Sequence, residues 1–323
     1  MREYRLASRE HRATNTVVRV GDPSAGPEAV VEIGGPRVAM MVGPCAVESH
    51  AQVIATAVAV REAGFPILRG GAFKPRTSPY SFQGLMDEGL RLLDAARRET
   101  GLRIVTEVMS EADVDAVARV ADVLQIGSRS MHAVRLLEAI ADAGKPVLLK
   151  RGFNATIKEW LLAAEYVLRR NEQLILCERG IRSFDDEFTR NVLDLGAVAV
   201  AKRETHLPVI VDPSQATGRA DLVIPMCRAA IAAGADGLLI ETHPDPREAL
   251  CDGEQSLPTS ELPRLAREVE RMAQAMGRSI YPAVESLPLG AEALVGVRKD
   301  PALAVARLAE SANGLAVGSG RGG

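Results

Sequence analysis

Aromatic residues are scarce in this chain: Phe, Tyr and Trp account for 3% of its 323 residues, whereas 47% of the residues are hydrophobic. Small and aliphatic side chains must therefore fill the core. No apolar run reaches the roughly 18 residues of a membrane-spanning helix, and no secretory signal pattern occurs. The net charge of −3 lacks the basic excess typical of nucleic-acid or membrane-surface binding. We expect a cytoplasmic protein that binds neither a nucleic acid nor a membrane.

Paired cysteine spacings are also missing. The four cysteines (Cys45, Cys177, Cys227 and Cys251) fit a reducing compartment rather than a disulfide framework. Cys177 and Cys227 are expected in the core. Cys251 is expected to be a buried, inert thiol, with a labile disulfide to Cys45 as the alternative.

Short β-branched runs alternate with amphipathic stretches along most of the chain. The predicted strands are Val38–Val42, Pro66–Leu68, Arg103–Thr106, Val123–Gln125, Pro146–Leu149, Leu174–Leu176, Pro208–Val211 and Gly237–Ile240. The predicted helices are His50–Glu62, Phe82–Glu99, Glu111–Arg119, Met131–Ala141, Thr156–Arg170, Asp186–Glu204, Arg219–Ala232 and Ser260–Ala275. This alternation predicts an α/β fold, a (β/α)₈ TIM barrel. A doubly wound open sheet is the second choice, because no G-x-G-x-x-G follows the first strand.

Two segments fall outside the eight units. Residues 1–35 are predicted as an N-terminal extension in which Thr16–Val20 and Ala29–Ile33 form a β-hairpin that covers the bottom of the barrel. The catalytic barrel is expected at 36–278. A C-terminal extension at 279–323, ending in Gly, Ser and Arg, is expected to be partly disordered.

Cationic side chains follow several predicted strands. The carboxyl ends of barrel strands meet at one mouth, so these side chains should converge there; they are Arg69, Lys74, Arg129, Lys150 and Arg179. Their mutual repulsion would cost stability unless an anion compensates. The stiff loop Phe73–Tyr80 adds an Arg and hydroxyls between prolines, which suits a phosphate or carboxylate. The mouth is therefore predicted to bind a multiply charged phosphorylated substrate.

Motifs at these strand ends carry a family resemblance across roughly residues 35 to 275. They are Gly43-Pro44-Cys45-Ala46-Val47-Glu48, Lys74-Pro75-Arg76-Thr77-Ser78-Pro79-Tyr80-Ser81-Phe82-Gln83-Gly84, Gln125-Ile126-Gly127, Leu149-Lys150-Arg151-Gly152, Cys177-Glu178-Arg179-Gly180-Ile181-Arg182, Thr205-His206-Leu207-Pro208 and Asp212-Pro213-Ser214. The sequence resembles the compact type I-beta group of 3-deoxy-D-arabino-heptulosonate 7-phosphate (DAHP) synthases, whose family also contains the octulosonate 8-phosphate synthases. The Lys-Pro-Arg-Thr-Ser form resembles the heptulosonate branch.

The resemblance implies a transferase that condenses phosphoenolpyruvate with erythrose 4-phosphate to give DAHP and phosphate, the first step of the shikimate pathway to the aromatic amino acids. It also implies a homodimer or homotetramer. Its implied substrate-binding residues are Arg69, Lys74, Ser128, Arg129, Lys150 and Arg179 for phosphoenolpyruvate, Arg76, Thr77 and Ser78 for the aldose phosphate, and Glu107, Asp212 and His243 elsewhere in the site. Its implied catalytic residues are Cys45, Lys74 and Glu107, with Glu107 positioning water or a proton at the enolpyruvyl carbon.

The metal site is where the chain departs from the family. The family holds a divalent ion (Mn²⁺, Co²⁺, Fe²⁺ or Zn²⁺) with a Cys, a His, a Glu and an Asp. Cys45, Glu241 and Asp252 match three of these ligands, but Gln215 replaces the His of an Asp-Pro-Ser-His motif. An amide oxygen is neutral and hard, so the ion is expected to be weakly held, with less penalty for Mn²⁺. His243, which shares a strand face with Glu241, is an alternative ligand.

A second departure concerns the aldehyde. Where the family reads Gly-Ala-Arg-Asn-Met-Gln-Asn, this chain reads Gly127-Ser128-Arg129-Ser130-Met131-His132-Ala133. One alternative is therefore a divergent paralogue that uses another aldose phosphate in a specialised pathway. Another is a catalytically weakened barrel that survives as a binding subunit. The intact set of cations favours a working enzyme.

Overall fold

Eight parallel strands form a closed barrel in this computed structural model, which describes residues 3–25, 29–76, 78–184 and 186–281. The barrel strands are β3 (Arg37–Gly43), β4 (Ile67–Arg69), β5 (Arg103–Glu107), β6 (Val123–Ile126), β7 (Val147–Lys150), β8 (Leu174–Glu178), β9 (Val209–Val211) and β10 (Gly237–His243). Each strand pairs with the next, and β10 returns to β3 with Glu241 beside Gly43. The predicted TIM barrel is confirmed.

Helices follow the strands and surround the barrel. They are α1 (His50–Glu62), α2 (Asp87–Thr100), α3 (Val114–Val120), α4 (Val134–Asp142), α5 (Ile157–Leu168), α6 (Leu195–Glu204), α7 (Pro213–Thr217), α8 (Ala220–Ala232) and α9 (Leu262–Ala275). None of those in the described part of the chain is long and apolar enough to cross a membrane.

The loops at the carboxyl ends of the strands are longer than the hydrophobic pattern predicts. The helix predicted from Phe82 begins at Asp87, and the helix predicted from Asp186 begins at Leu195. In the second case Val192 forms an antiparallel bridge with Ile181, which keeps the preceding segment extended. The short helix α7 was not predicted at all. It forms because the Asp212 carboxylate accepts a hydrogen bond from the amide of Gln215, and because Pro213 suits the first turn.

A two-stranded antiparallel sheet closes the amino-terminal end of the barrel, as the sequence predicted. Its strands are β1 (Val18–Val20) and β2 (Val31–Ile33). Their four aliphatic side chains pack against the residues that fill the barrel interior. The Arg103 side chain, at the start of β5, also donates to the Ala29 carbonyl. The interior is therefore packed and the bottom covered, which leaves the carboxyl ends as the open face.

Two short strands flank the barrel: β11 (Leu257–Pro258) pairs with β10, and β12 (Ser279–Ile280) pairs with β3. The predicted domain boundaries at 35 and 278 fall just before β3 and just before β12. Beyond Tyr281 the predicted C-terminal extension lies outside the described residues.

His206 attaches the N-terminal segment to the barrel through two hydrogen bonds. Its Nε2 lies 2.7 Å from the Leu6 carbonyl oxygen and its Nδ1 lies 2.7 Å from the Thr16 hydroxyl. With Nε2 donating, Nδ1 accepts from Thr16, so the ring is neutral in this arrangement. Burial lowers the pKa of His206 and outweighs the hydrogen bond to Leu6, and the nearby Arg12 lowers it further.

Acid should weaken this attachment. The pKa of His206 lies lower in the folded chain than its ordinary value of 6.5, so the stabilisation is complete above that value and is lost as the pH falls through the folded pKa. We expect the thermal midpoint to fall more between about pH 7 and about pH 5 in the wild type than in His206→Gln, whose amide cannot charge. Equal falls in both proteins would contradict this role.

Candidate active site

A cationic cavity of about 340 Å³ opens at the carboxyl ends of the barrel strands. Among the lining residues that the structure describes, seven are cations and two are carboxylates. The cations are Arg69, Lys74, Arg76, Arg129, Lys150, Arg179 and Arg190, and the carboxylates are Glu107 and Asp252. All five cations predicted at the mouth are therefore brought together. Their excess of positive charge favours an anionic occupant.

Several buried polar atoms of this cavity have no hydrogen-bond partner within the described chain. They are Nε of Arg69, Nη1 of Arg179 and Oγ of Ser128. A buried unpaired donor costs about 1–3 kcal/mol, so such atoms rarely persist without a function. All three residues line the same cavity. An anion with several oxygens, such as a phosphate or a carboxylate, would satisfy them together.

Phe153 forms a platform beneath the arginines. Its ring centroid lies 4.6 Å from the guanidinium carbon of Arg179, 5.4 Å from that of Arg129 and 5.6 Å from that of Arg182. Stacking on an aromatic face fixes the plane of a guanidinium group. Phe153 was not predicted from the sequence. A rare aromatic three residues after the end of β7 was the available signal.

The end of β7 carries two cations with different surroundings. The Lys150 ammonium lies 2.7 Å from Asp212, and both side chains are buried. Arg151 instead lies 2.9 Å from Glu178 and 3.0 Å from Asp194, and it is absent from the cavity lining described above. Burial raises the pKa of Glu178, although the charge of Arg151 opposes that shift. Only Lys150 is thus placed to meet a ligand.

Glu107 is held at the end of β5 with one face toward the cavity. Its Oε2 accepts from the Gln125 amide at 3.0 Å. Gly127 leaves room for the carboxylate, because a β-carbon at that position would lie 2.0 Å from Oε1 of Glu107. The predicted motif Gln125-Ile126-Gly127 therefore orients Glu107 by a hydrogen bond on one side and by an absent side chain on the other.

The loop after β4 brings cations to two thiols. The Lys74 ammonium lies 3.0 Å from Sγ of Cys45 and 3.0 Å from its carbonyl oxygen. Burial opposes the charged form of Lys74, but Cys45, Cys251 and Glu241 outweigh it and raise its pKa. Arg76 donates to Sγ of Cys251. Ser78 lines the cavity, whereas Thr77 lies outside the described residues.

Cys45, Cys251 and Asp252 form a cluster in which one ligand atom from each lies within 4.8 Å of the others. The two Sγ atoms are 3.4 Å apart, and Asp252 Oδ2 is 3.2 Å from Cys45 Sγ. The hydrogen bond between the thiols raises the pKa of Cys45 and lowers that of Cys251. Burial would raise the pKa of Asp252, but Arg190, at 3.1 Å, and the Cys45 thiol lower it. Arg190 was missed because its segment was predicted to be helical.

Gln215 lies beside this cluster. Its amide nitrogen is 2.7 Å from Glu241 Oε1 and 3.3 Å from Asp252 Oδ2, whereas its oxygen accepts from Arg179 at 2.7 Å. The atom that would coordinate an ion therefore faces Arg179. Glu241 is itself engaged by Arg69 at 3.0 Å and by the amide of Gln255. Coordination by Gln215 stays a prediction that this orientation does not favour.

His243 lies behind the cavity wall. Its Nδ1 accepts from the Asp245 amide at 3.1 Å, so its Nε2 donates to Glu48, 3.2 Å away. Glu48 in turn accepts from the amide of Leu250, next to Cys251. Within the part of the chain that the structure describes, His243 does not line the cavity. Its contacts instead support the segment that carries Cys251 and Asp252.

Comparison with known proteins relates this site to one enzyme family. The DAHP synthetase I family matches residues 18–278. The chain is 48% identical over 278 residues to the phospho-2-dehydro-3-deoxyheptonate aldolase of Thermotoga maritima, covering 86% of this chain and 80% of that protein. It is 36% identical over 262 residues to the 2-dehydro-3-deoxyphosphooctonate aldolase of Acidithiobacillus ferrooxidans, covering 75% of this chain and 92% of that protein.

Solved structures of the same family also match this chain. A crystal structure of the Thermotoga maritima DAHP synthase matches with a TM-score of 0.81 and 47% identity, covering 87% of this chain and 80% of that one. A truncated form of that synthase matches with a TM-score of 0.78 and 43% identity, covering 86% of this chain and 99% of that one. The resemblance inferred from the strand-end motifs is confirmed.

Proposed function

Because this chain belongs to the DAHP synthetase I family, we propose roles in that family's reaction for the side chains at the mouth of the barrel. The enzyme condenses phosphoenolpyruvate with erythrose 4-phosphate and opens the shikimate pathway. The methylene carbon of phosphoenolpyruvate bonds to the aldehyde carbon, a water oxygen adds at the enol carbon, and inorganic phosphate departs. The products are DAHP and phosphate. The protein must therefore bind two phosphates and a carboxylate, and stabilise a departing anion.

The observation that carries the proposal is the set of unpaired buried donors on Arg69, Ser128 and Arg179. These atoms, with Lys74, Arg129 and Lys150, bind the phosphate and carboxylate of phosphoenolpyruvate. Donors already fixed by ion pairs and by the Phe153 ring need not reorganise as charge moves onto the leaving phosphate. Ser128 contributes its backbone amide as well as its hydroxyl.

Glu107 positions the attacking water, or takes its proton, near the enolpyruvyl carbon. Its orientation by Gln125 and its place in the cavity lining support this role. Arg76, Thr77 and Ser78 bind the aldose phosphate, and the place of Arg76 and Ser78 in the cavity lining supports this role. Asp212 and His243 act indirectly, through Lys150 and through Glu48 respectively, so they are positioning residues.

The family depends on a divalent metal ion, which supplies a Lewis acid that polarises the aldehyde oxygen when it is bound. The donor set of this chain fits such an ion, because Cys45 and Asp252 bring a sulfur and a carboxylate together and Glu241 borders them. We propose that these three hold it, with Gln215 contributing at most a weak fourth ligand. The ion is Mn²⁺, Co²⁺, Fe²⁺ or Zn²⁺.

The alternatives are not favoured. Identity is higher to the heptonate aldolase, at 48%, than to the octonate aldolase, at 36%, which supports erythrose 4-phosphate as the aldehyde. A catalytically weakened binding subunit has no reason to keep a complete set of cations around unpaired donors. A homodimer or homotetramer in the cytoplasm remains our proposal, and the free thiols fit that reducing compartment.

Arg129 provides the cleanest test of the anion site, because its exposed side chain can be removed without breaking a buried ion pair. We expect Arg129→Ala to weaken phosphoenolpyruvate binding by about 1.5–3 kcal/mol, or roughly 10- to 150-fold, because hydrogen bonds to charged groups contribute that much. Calorimetric titration with phosphoenolpyruvate measures the change. Turnover, followed as phosphate released with erythrose 4-phosphate, should fall in parallel.

Arg135→Ala is the matched control. Arg135 is an exposed arginine on α4, and it does not belong to the cavity lining. The control removes the same charge, so its affinity for phosphoenolpyruvate should stay within about twofold of the wild type. Equal losses of affinity in the two variants would mean that the effect comes from the change in net charge and not from a contact with the ligand. Unchanged affinity in Arg129→Ala would remove this residue from the anion site.

A further inference from the structure

The second thiol of the cluster, that of Cys251, lies where it could coordinate a metal ion. Cys45 follows β3, and Cys251 lies between β10 and β11, yet their Sγ atoms are 3.4 Å apart. Asp252 Oδ2 lies 3.2 Å from Cys45 Sγ. Around a tetrahedral ion with metal–sulfur bonds of about 2.3 Å, neighbouring ligand atoms lie about 3.5–3.8 Å apart. These two distances fall within a few tenths of an ångström of the values for a coordination shell, and the third pair of ligand atoms lies within 4.8 Å.

The amide oxygen of Gln215 is not oriented to coordinate an ion in this cluster. Turning its amide over would bring the oxygen toward the cluster, but it would also place the NH₂ group against the Nη2 donor of Arg179, which now lies 2.7 Å from the amide oxygen. The turn would also give up the hydrogen bond to Glu241 at 2.7 Å. The hydrogen-bond network thus fixes the amide with a donor facing the cluster. A donor N–H offers no lone pair to an ion.

Three cations lie beside the ligand atoms of the cluster. Lys74 lies 3.0 Å from Cys45 Sγ, Arg76 donates to Cys251 Sγ, and Arg190 lies 3.1 Å from Asp252. Adjacent cations offset the negative charge that these ligands carry when they bind an ion. Glu241 is paired with Arg69 at 3.0 Å, so each anionic ligand has its own cation, and adding Cys251 does not leave an uncompensated buried charge.

We propose that Cys251 is a metal ligand in this protein and takes the coordination position that Gln215 leaves open, alongside Cys45, Glu241 and Asp252. The proposal rests on the proposed function for the use of the ion, but ion binding itself can be measured without substrate. Two soft sulfur ligands favour Zn²⁺, Co²⁺ or Fe²⁺. A site completed by the Gln215 oxygen would instead favour Mn²⁺.

Cobalt spectroscopy counts the thiolates. The full-length protein, treated with chelator and kept reduced, is titrated with Co²⁺ while the thiolate-to-cobalt absorption band is recorded. That band grows with the number of cobalt–sulfur bonds, so Cys251→Ser should lose about half of the wild-type intensity, as should Cys45→Ser. Gln215→Ala should keep the full band. Cys227→Ala, which removes a buried thiol of α8 outside the cluster, is the matched control and should also keep it.

Zinc binding gives a second readout. Competition with a chromogenic chelator should show Zn²⁺ affinity lowered about tenfold or more in Cys251→Ser and little changed in Gln215→Ala. X-ray absorption of the zinc-loaded wild type should show two sulfur neighbours. A full cobalt band in Cys251→Ser, or a larger affinity loss in Gln215→Ala than in Cys251→Ser, would overturn the proposal. So would a wild type that binds neither Co²⁺ nor Zn²⁺.

The same preparations separate this proposal from the proposed function. Thermal melts first establish that each variant is folded. A two-thiolate cobalt spectrum without DAHP formation from phosphoenolpyruvate and erythrose 4-phosphate would refute the function and leave Cys251 as a ligand. DAHP formation by a wild type that shows a one-thiolate spectrum would refute the ligand and leave the function.

Discussion

Lys150→Ala is expected to abolish turnover and to lower the free energy of unfolding by about 3–5 kcal/mol, because it removes one partner of a buried ion pair. The Lys150 ammonium lies 2.7 Å from Asp212, whose side chain is fully buried. Without Lys150 that carboxylate has no compensating cation at this distance, and the cavity loses a ligand for the anionic substrate. Denaturant unfolding measures the first loss, and phosphate release with both substrates measures the second.

A second substitution separates the two losses. In Lys150→Ala combined with Asp212→Asn, the buried charge is gone, and the asparagine oxygen still accepts from the Gln215 amide that begins α7. We expect most of the stability to return while turnover stays absent. Recovery of turnover would show that Lys150 serves only to neutralise Asp212. A single variant as stable as the wild type would contradict the ion-pair argument.

Arg151→Met should have an equally large effect on stability by a different route. Arg151 lies between Glu178, which is fully buried, and Asp194. Removing it leaves a buried carboxylate without its cation, and we expect a loss of about 3–5 kcal/mol in the free energy of unfolding. Because Arg151 does not line the cavity, the folded fraction should bind phosphoenolpyruvate with nearly wild-type affinity. Unfolding curves and calorimetry measure the two quantities.

Lys158→Met is the control for that experiment. Lys158 forms an ion pair with Glu3 at 2.6 Å, but both side chains are more than half exposed. Exposed pairs contribute about 0–1 kcal/mol, so this loss should be small. A similar loss in the two variants would mean that burial does not distinguish these pairs. Loss of phosphoenolpyruvate binding in folded Arg151→Met would place Arg151 in the site.

Much of the architecture follows from periodicity. The alternation of short β-branched runs and amphipathic stretches located all eight barrel strands to within three residues at each end, because buried parallel strands are typically apolar runs. Hydrophobic periodicity did not predict the lengths of the loops. Val192 was assigned to a helix although it bridges Ile181, since a local hydrophobic pattern does not register a pairing between distant segments.

The candidate site was also predictable only in part. The cations were predicted because carboxyl ends of parallel strands must meet, which depends on topology alone. Other features depend on rotamers and loop paths that no spacing encodes. These are the direction of the Gln215 amide and the ion pair of Arg190 with Asp252.

Because the hairpin covers the amino-terminal end of the barrel, the cavity opens only at the carboxyl ends of the strands. Arg179 and Lys150 are buried deep in its wall, whereas Ser78 is exposed at the rim. In the proposed arrangement, phosphoenolpyruvate binds to the buried residues, and the aldose phosphate binds nearer the opening. We therefore expect an ordered mechanism in which phosphoenolpyruvate binds first and erythrose 4-phosphate second. An aldose phosphate that arrives early would block the entrance and act as a dead-end inhibitor.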